Sequence, residues 1–199
     1  LRLLEEVVEA QEMQKGLERG SIKFIPMIET ASGYFKMESI ATATSRNIGI
    51  TLGGEDFALD TGMFPDQETL FLASQKLVYA ARSAGIMPLG TIGTVADYKD
   101  LEAYKVSAVK SHKFGFEGAA CIHPGVVPIL NDAFAPNVDE IRSAQKIVTA
   151  YEVALKEGKG AITVDGKMID IPVFERAQKL LQRSEHINSL ITNIKGKSS

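Results

Sequence analysis

The stretch Ile48-Gly49-Ile50-Thr51-Leu52-Gly53-Gly54-Glu55-Asp56 decides how the chain folds. Its first five residues form an apolar, β-branched run too short for a helix of its own, and it ends on a glycine pair followed by two acids. A buried strand emerging at a polar rim reads this way. Upstream, a helix is expected around residues 35–44, and before it a second apolar run, 22–28, lies between Gly20 and the polar pair Glu29-Thr30. An amphipathic helix over 1–19 precedes that run, with Leu1, Leu4, Val7 and Val8 on one face and Gly20 as its stop. Downstream, a long helix over 67–84 ends at Gly85 and precedes a weaker strand over 87–92. A helix over 98–113 ends before Gly115 and leads into a strand over 118–122.

Helix alternating with a short buried strand is the pattern of a parallel α/β protein, either a doubly wound sheet or a (β/α)8 barrel. Two features favour the TIM-type barrel. Polar and glycine-rich residues gather just after the strands, and no strand is followed by a Gly-x-Gly-x-x-Gly turn. Four strands supply the second half of such a barrel, strands 5–8, over residues 1–135. The chain opens Leu1-Arg2-Leu3-Leu4 without a methionine or a capping residue, as if already inside a helix, so further sequence is expected upstream. After Pro136 the pattern changes. A helix over 138–157 runs into Glu157-Gly158-Lys159-Gly160, followed by a short stretch over 161–164, a turn at Asp165-Gly166 and a last helix from Pro172 to about residue 188. Residues 136–199 are therefore expected to form a C-terminal helical lid or arm whose final residues fray.

Composition narrows the function. With 199 residues, 45% hydrophobic and 24% charged, the chain suits a globular protein with a sizeable core. A formal charge of -3 leaves no basic excess for a nucleic-acid backbone, so no nucleic-acid partner is expected. No apolar run nears the roughly eighteen residues of a membrane span, and a cytoplasmic location is expected. The single cysteine, Cys121, lies in an apolar run and is expected to be a small core residue. No Gly-x-Ser-x-Gly elbow, Walker motif or His-Glu-x-x-His is present, which disfavours serine hydrolases, nucleotide hydrolases and zinc peptidases.

Among residues able to carry chemistry, Glu29 follows the first expected strand and Asp56 the second, one βα unit apart. In a barrel both carboxylates reach the rim formed by the carboxyl ends of neighbouring strands. There they can hold Mg²⁺, which takes octahedral oxygen ligation but keeps waters or substrate oxygens. Spacing alone also allows two solvated loop acids. Gly53 and Gly54 permit close backbone approach to a ligand carboxylate, or form an ordinary turn. Asp170, just ahead of Pro172, has a ready structural role as a helix N-cap. His123, beside Pro124, is either a site residue or part of a helix start. His112 and His186 lie on expected helices without a partner at metal-ligand spacing.

The segments Met27-Ile28-Glu29-Thr30-Ala31, Gly53-Gly54-Glu55-Asp56-Phe57-Ala58-Leu59-Asp60, Ala96-Asp97-Tyr98-Lys99-Asp100-Leu101-Glu102, Gly115-Phe116-Glu117-Gly118 with Cys121-Ile122-His123-Pro124, and Asp165-Gly166-Lys167-Met168-Ile169-Asp170-Ile171-Pro172, in this order, resemble the citrate lyase β-subunit family. That family includes malyl-CoA and citramalyl-CoA lyases. The resemblance implies a TIM-type barrel with a C-terminal extension, and a Mg²⁺ cofactor held by Glu29 and Asp56. It implies a CoA-thioester substrate met by Glu29, Gly54, Glu55, Asp56, Ile122 and His123, and Asp170 as the catalytic acid/base acting across a subunit interface in a homotrimer or homohexamer. The implied reaction cleaves a malyl-, citramalyl- or citryl-CoA to acetyl-CoA and a 2-oxo acid. The same scaffold can serve a malate or citramalate synthase or a thioesterase, and a barrel aldolase without CoA or a non-catalytic assembly subunit are the rivals. The acyl group is not legible, and the family's catalytic arginine and CoA contacts are expected upstream of residue 1.

Overall fold

Strand β2 (Gly49–Leu52) is buried along almost its whole length, as befits the middle strand of a parallel sheet covered on both faces. In the computed structural model, which describes residues 1–93 and 99–196, β2 lies between β1 (Met27–Ile28) and β3 (Met87–Leu89), both parallel to it. The Ala96-Asp97-Tyr98 segment, the expected helix start at 98 and the last three residues of the tail fall outside the described residues.

Strands are shorter than the apolar runs suggest, for identifiable reasons. In the run 22–28, Phe24 pairs with Asn47 but Met27 pairs with Thr51, so the register slips by one residue across Pro26, which has no N–H to donate. The expected strand over 118–122 reduces to a single bridge, Gly118 to Leu89. The partner strand ends there because Gly90 takes φ +141° and turns away, leaving residues 119–122 no ladder to join.

Helices carry similar corrections. Helix α1 (Arg2–Lys15) stops at Gly16, a left-handed C-cap with φ 67°, and not at Gly20. The helix expected over 35–44 is two short ones, α2 (Ala31–Phe35) and α3 (Met37–Ala41), hinged at Lys36. Helix α4 (Gly54–Thr61) occupies residues that read as a polar loop, and α5 (Phe71–Ala84) starts four residues later than expected. A turn precedes α5, in which the Asp66 carboxylate accepts the amides of Glu68 and Thr69, both at 2.9 Å. Helix α6 (Leu101–Lys113) is capped by Asp100, and α7 (Val127–Phe134), which the sequence reading omitted, follows a 3-10 turn at Pro124–Val126.

Residues Leu1–Phe134 form one compact unit and Ala135–Ser199 a second. The core of the first packs Ile28 and Ile50 of the sheet against Met37, Leu77, Val78 and Ala81, with Tyr104, Ala108 and Phe116 from the α6 side. Cutting Ile28, Ile50, Met37 or Leu77 back to alanine costs about 2–5 kcal/mol each. In the second unit, α8 (Val138–Lys156) opens with a full capping box in which Asn137 and Glu140 satisfy each other's backbone amides. Strands β4 (Ile162–Val164) and β5 (Lys167–Ile169) form a hairpin across Asp165 and Gly166, both with positive φ, as a tight two-residue turn requires. Helix α9 (Ile171–Gly196) starts one residue before Pro172 and runs beyond residue 188. Tyr151 of α8 stacks on Phe174 of α9 at 4.9 Å and donates its hydroxyl to the Gly160 carbonyl.

Candidate active site

Strand β2 passes into α4 through Gly53 with no loop between, so the first turn of the helix stands at the carboxyl end of the sheet. Its N-cap is a glycine, which has no side chain to occupy the amides of the first turn, and Glu55 and Asp56 lie in that turn. Backbone N–H groups left open at a helix start attract anions. The chain approach is close. The Gly53 amide donates to the Ile28 carbonyl at 2.9 Å. A Cβ built on Gly53 would fall 2.7 Å from Glu29 Cγ and 3.1 Å from Glu29 Oε1. No side chain fits there, and this is why Glu29, the first residue after β1, can lie against the start of α4.

Glu29 and Asp56 are both exposed, and among the described residues neither carboxylate has a hydrogen-bond or ion-pair partner. Two carboxylates without partners at the end of a parallel sheet suit a hard divalent cation that keeps the rest of its shell as water or ligand oxygens. No group of three or more His, Cys, Asp or Glu side chains able to hold a metal occurs among the described residues, so a fuller protein cage is not built there.

A cavity of about 240 Å³ opens beside this turn, lined by Gly53, Gly54, Glu55, Asp56 and Ile122 together with Thr51, Gly90, Thr91 and Cys121. Cys121, expected to be a small core residue, is half-buried: it packs against the main core and also lines this cavity. The opposite wall, Gly90 to Gly93, was not singled out from sequence. Its buried Ile92 donates its amide to Ser111 Oγ at 2.8 Å and accepts from Ser107 Oγ at 2.9 Å, so α6 pins that loop at both backbone groups. The serine pair lies at helical spacing on the face of α6 toward the loop. That spacing was the available signal.

His123 is exposed and its Nδ1 accepts the Gly125 amide at 3.0 Å, capping the 3-10 turn. The ring therefore has the helix-start role that the sequence allowed. Asp170 belongs to the second unit, where its carboxylate accepts the Val173 amide at 3.3 Å and its carbonyl accepts the Phe174 amide at 3.0 Å. It caps α9, as its position before Pro172 suggested. His112 sets its ring edge-on to Phe134 at 5.9 Å, a packing role.

A parallel sheet with a glycine-capped helix start, two carboxylates without a partner among the described residues and a cavity at its carboxyl end makes an α/β protein with a candidate site for oxygen ligands where its strands finish. The profile of the HpcH/HpaI aldolase/citrate lyase family matches residues 1–124, and the chain belongs to that family. It is 34% identical over 181 residues to the citrate lyase subunit beta of Leuconostoc mesenteroides subsp. cremoris, covering 90% of this chain and 59% of that protein. It is 30% identical to the L-malyl-CoA/beta-methylmalyl-CoA lyase of Cereibacter sphaeroides, covering 92% and 63%. Among solved structures, the CitE protein of Mycobacterium tuberculosis in complex with magnesium, acetoacetate and coenzyme A superposes with a TM-score of 0.71 at 25% identity, over 82% of this chain and 61% of that one. The chain thus spans less than two thirds of the length of each of these relatives.

Proposed function

We propose that the chain carries the metal-binding rim of a Mg²⁺-dependent carbon–carbon lyase, which cleaves a malyl-, citramalyl- or citryl-CoA to acetyl-CoA and a 2-oxo acid. The observation that carries this reading is the approach of Glu29 to Gly53 at the start of α4, whose first turn holds Asp56 with no partner for its carboxylate among the described residues. Family membership supports the reaction class, and the magnesium and coenzyme A bound by the CitE protein support the choice of cofactor and thioester. On this reading the first unit is the second half of a TIM-type barrel, and the enzyme is a cytoplasmic homotrimer or homohexamer.

Glu29 and Asp56 hold Mg²⁺ as its protein ligands. When bound, the ion supplies Lewis acidity toward the substrate's hydroxyl and carboxylate oxygens. The backbone around Gly54–Asp56 meets the carboxylate of the emerging oxo acid, an anion at a helix start. Ile122 and His123 line the approach of the substrate. Asp170 supplies the proton to the acetyl carbon released by cleavage, and removes it in the reverse direction. Capping α9 fixes the Asp170 side chain for that exchange without consuming both oxygens, since only one accepts the Val173 amide.

A panel of malyl-, citramalyl- and citryl-CoA incubated with the full-length protein and Mg²⁺ tests this, with acetyl-CoA and oxo acid as products. Chelation should stop turnover and added Mg²⁺ restore it. Release of free CoA without acetyl-CoA would replace the lyase reading with a thioesterase. No cleavage of any of the three would favour an assembly role.

A further inference from the structure

Asp60 stands in the last turn of α4, where the helix dipole disfavours a carboxylate and a basic residue would serve the helix better. Its surroundings give the compensating contact. Asp60 Oδ2 accepts the amide of Ala31 at 2.7 Å, a bond between residues far apart in sequence. Ala31 opens α2, so the carboxylate meets a helix start at one end while it offends a helix end at the other. Helix α4 is thereby fastened to the β1–α2 connection at two places: the Gly53 amide on the Ile28 carbonyl, and the Asp60 carboxylate on the Ala31 amide. Between those two anchors lies Glu29. Tyr34 of α2 and Phe57 of α4, with ring centroids 6.0 Å apart, fill the space under the same joint.

We propose that Asp60 is a positioning residue for the divalent-cation site, holding Glu29 at a fixed distance from Asp56, which lies one turn before Asp60 on α4. The proposal rests on the reading of Glu29 and Asp56 as metal ligands. Each carboxylate comes from a different element, and a cation that takes near-ideal octahedral geometry tolerates little drift between them. The Ile28 anchor alone fixes the chain before Glu29. Without the Asp60 bond, the contact left among the described residues between α2 and α4 is side-chain packing such as that of Tyr34 on Phe57.

Mn²⁺ binding to the full-length protein, titrated alone and followed by the loss of the free-ion EPR signal, tests this in four proteins: wild type, Asp60→Ala, Asp60→Asn and Glu29→Gln. Asp60→Ala should weaken Mn²⁺ binding by about tenfold, the usual scale for a group that orients a ligand, while its thermal midpoint stays close to wild type because the bond is exposed. Asp60→Asn keeps an acceptor for the Ala31 amide and should restore most of the affinity. Wild-type affinity in Asp60→Ala, or a lowered midpoint with affinity unmoved, would overturn the positioning role alone. Equal loss in Asn and Ala would overturn it too, making Asp60 a direct ligand. Failure of the wild type to bind Mn²⁺, or unchanged binding in Glu29→Gln, would overturn the metal reading itself and this inference with it.

Discussion

The two ends of the parallel sheet treat their acids in opposite ways. At the end where the strands begin, Glu12 of α1 is only 1% exposed and is clamped by Arg46, itself 3% exposed, through two bonds of 2.7 Å. The amides of Gly20 and Ile22 complete its shell at 2.8 Å each, and Arg46 also donates to the Ile22 carbonyl. The hydrogen bonds from Arg46 chiefly, working against burial and helped by the Ile22 and Gly20 amides, hold the Glu12 carboxyl well below the usual carboxylate range. Where the strands finish, Glu29 and Asp56 are exposed and have no partner among the described residues. A carboxylate whose lone pairs are all spoken for is a structural part. One whose lone pairs are open is available to a ligand, and parallel α/β folds keep their chemistry at the end where strands finish.

The sharpest way to break this contrast is to remove charge at each end in turn. Glu29→Gln or Asp56→Asn in the full-length protein should lower Mg²⁺-dependent cleavage by roughly a hundredfold or more, with the far-ultraviolet spectrum and thermal midpoint unchanged. Near-normal turnover at low Mg²⁺ would remove the metal assignment. Asp170→Asn comes next. It should lower turnover by about a hundredfold while barely moving stability, because asparagine caps a helix about as well as aspartate. Mixing Asp170→Asn subunits with Glu29→Ala subunits should restore activity if Asp170 serves a neighbouring subunit. Silence after proven subunit exchange would assign it to its own chain.

At the opposite end the expected readout is stability. Glu12→Gln leaves buried Arg46 with only the longer ion pair to Glu5, at 3.6 Å, among the described residues, so the thermal midpoint should fall by several degrees while Mn²⁺ affinity stays at the wild-type value. A variant with an unchanged midpoint would show the clamp to be dispensable. The smallest effect is the pH dependence. Because the folded pKa of Glu12 lies below its ordinary value of 4.5, the ionised clamp stabilises the fold above that pH, and the contribution drains away as pH falls from there toward the folded value. Asp66, lowered by its bonds to Thr69 and Glu68, acts in the same direction. Stability against urea measured between pH 6 and about 3 should therefore decline more steeply in wild type than in Glu12→Gln. Parallel profiles would place the acid sensitivity elsewhere.

Much of this contrast was out of reach of the sequence. The Gly53-Gly54-Glu55-Asp56 segment was legible as a candidate site because glycine pairs and acids after an apolar run are local signals, and Asp170 was legible as a cap for the same reason. Helix α4 was not, since its glycine-rich start and mixed polarity read as loop, and only packing of Phe57 and Ala58 into the core makes it helical. The clamp of Glu12 by Arg46 left no trace, because 34 positions separate the partners and each looks like an ordinary surface charge. The Asp60 contact was hidden for a like reason, although an acid in the last turn of a helix was a clue.

What the sequence determined by itself is what neighbours along the chain decide: the alternation of helix and parallel strand, the turn at Asp165-Gly166, the caps, and the ordered segments that mark the family. What only the tertiary structure decided is which charges are spent and which are free. Strand lengths also belonged to it, because a ladder ends when its partner turns away, as at Gly90, whatever the β propensity of residues 119–122. Periodicity reports the faces of one element, whereas a carboxylate's availability depends on donors brought from elsewhere in the chain. Glu12 and Glu29 are the same residue type, and only their three-dimensional neighbours make one a strut and leave the other open to a ligand.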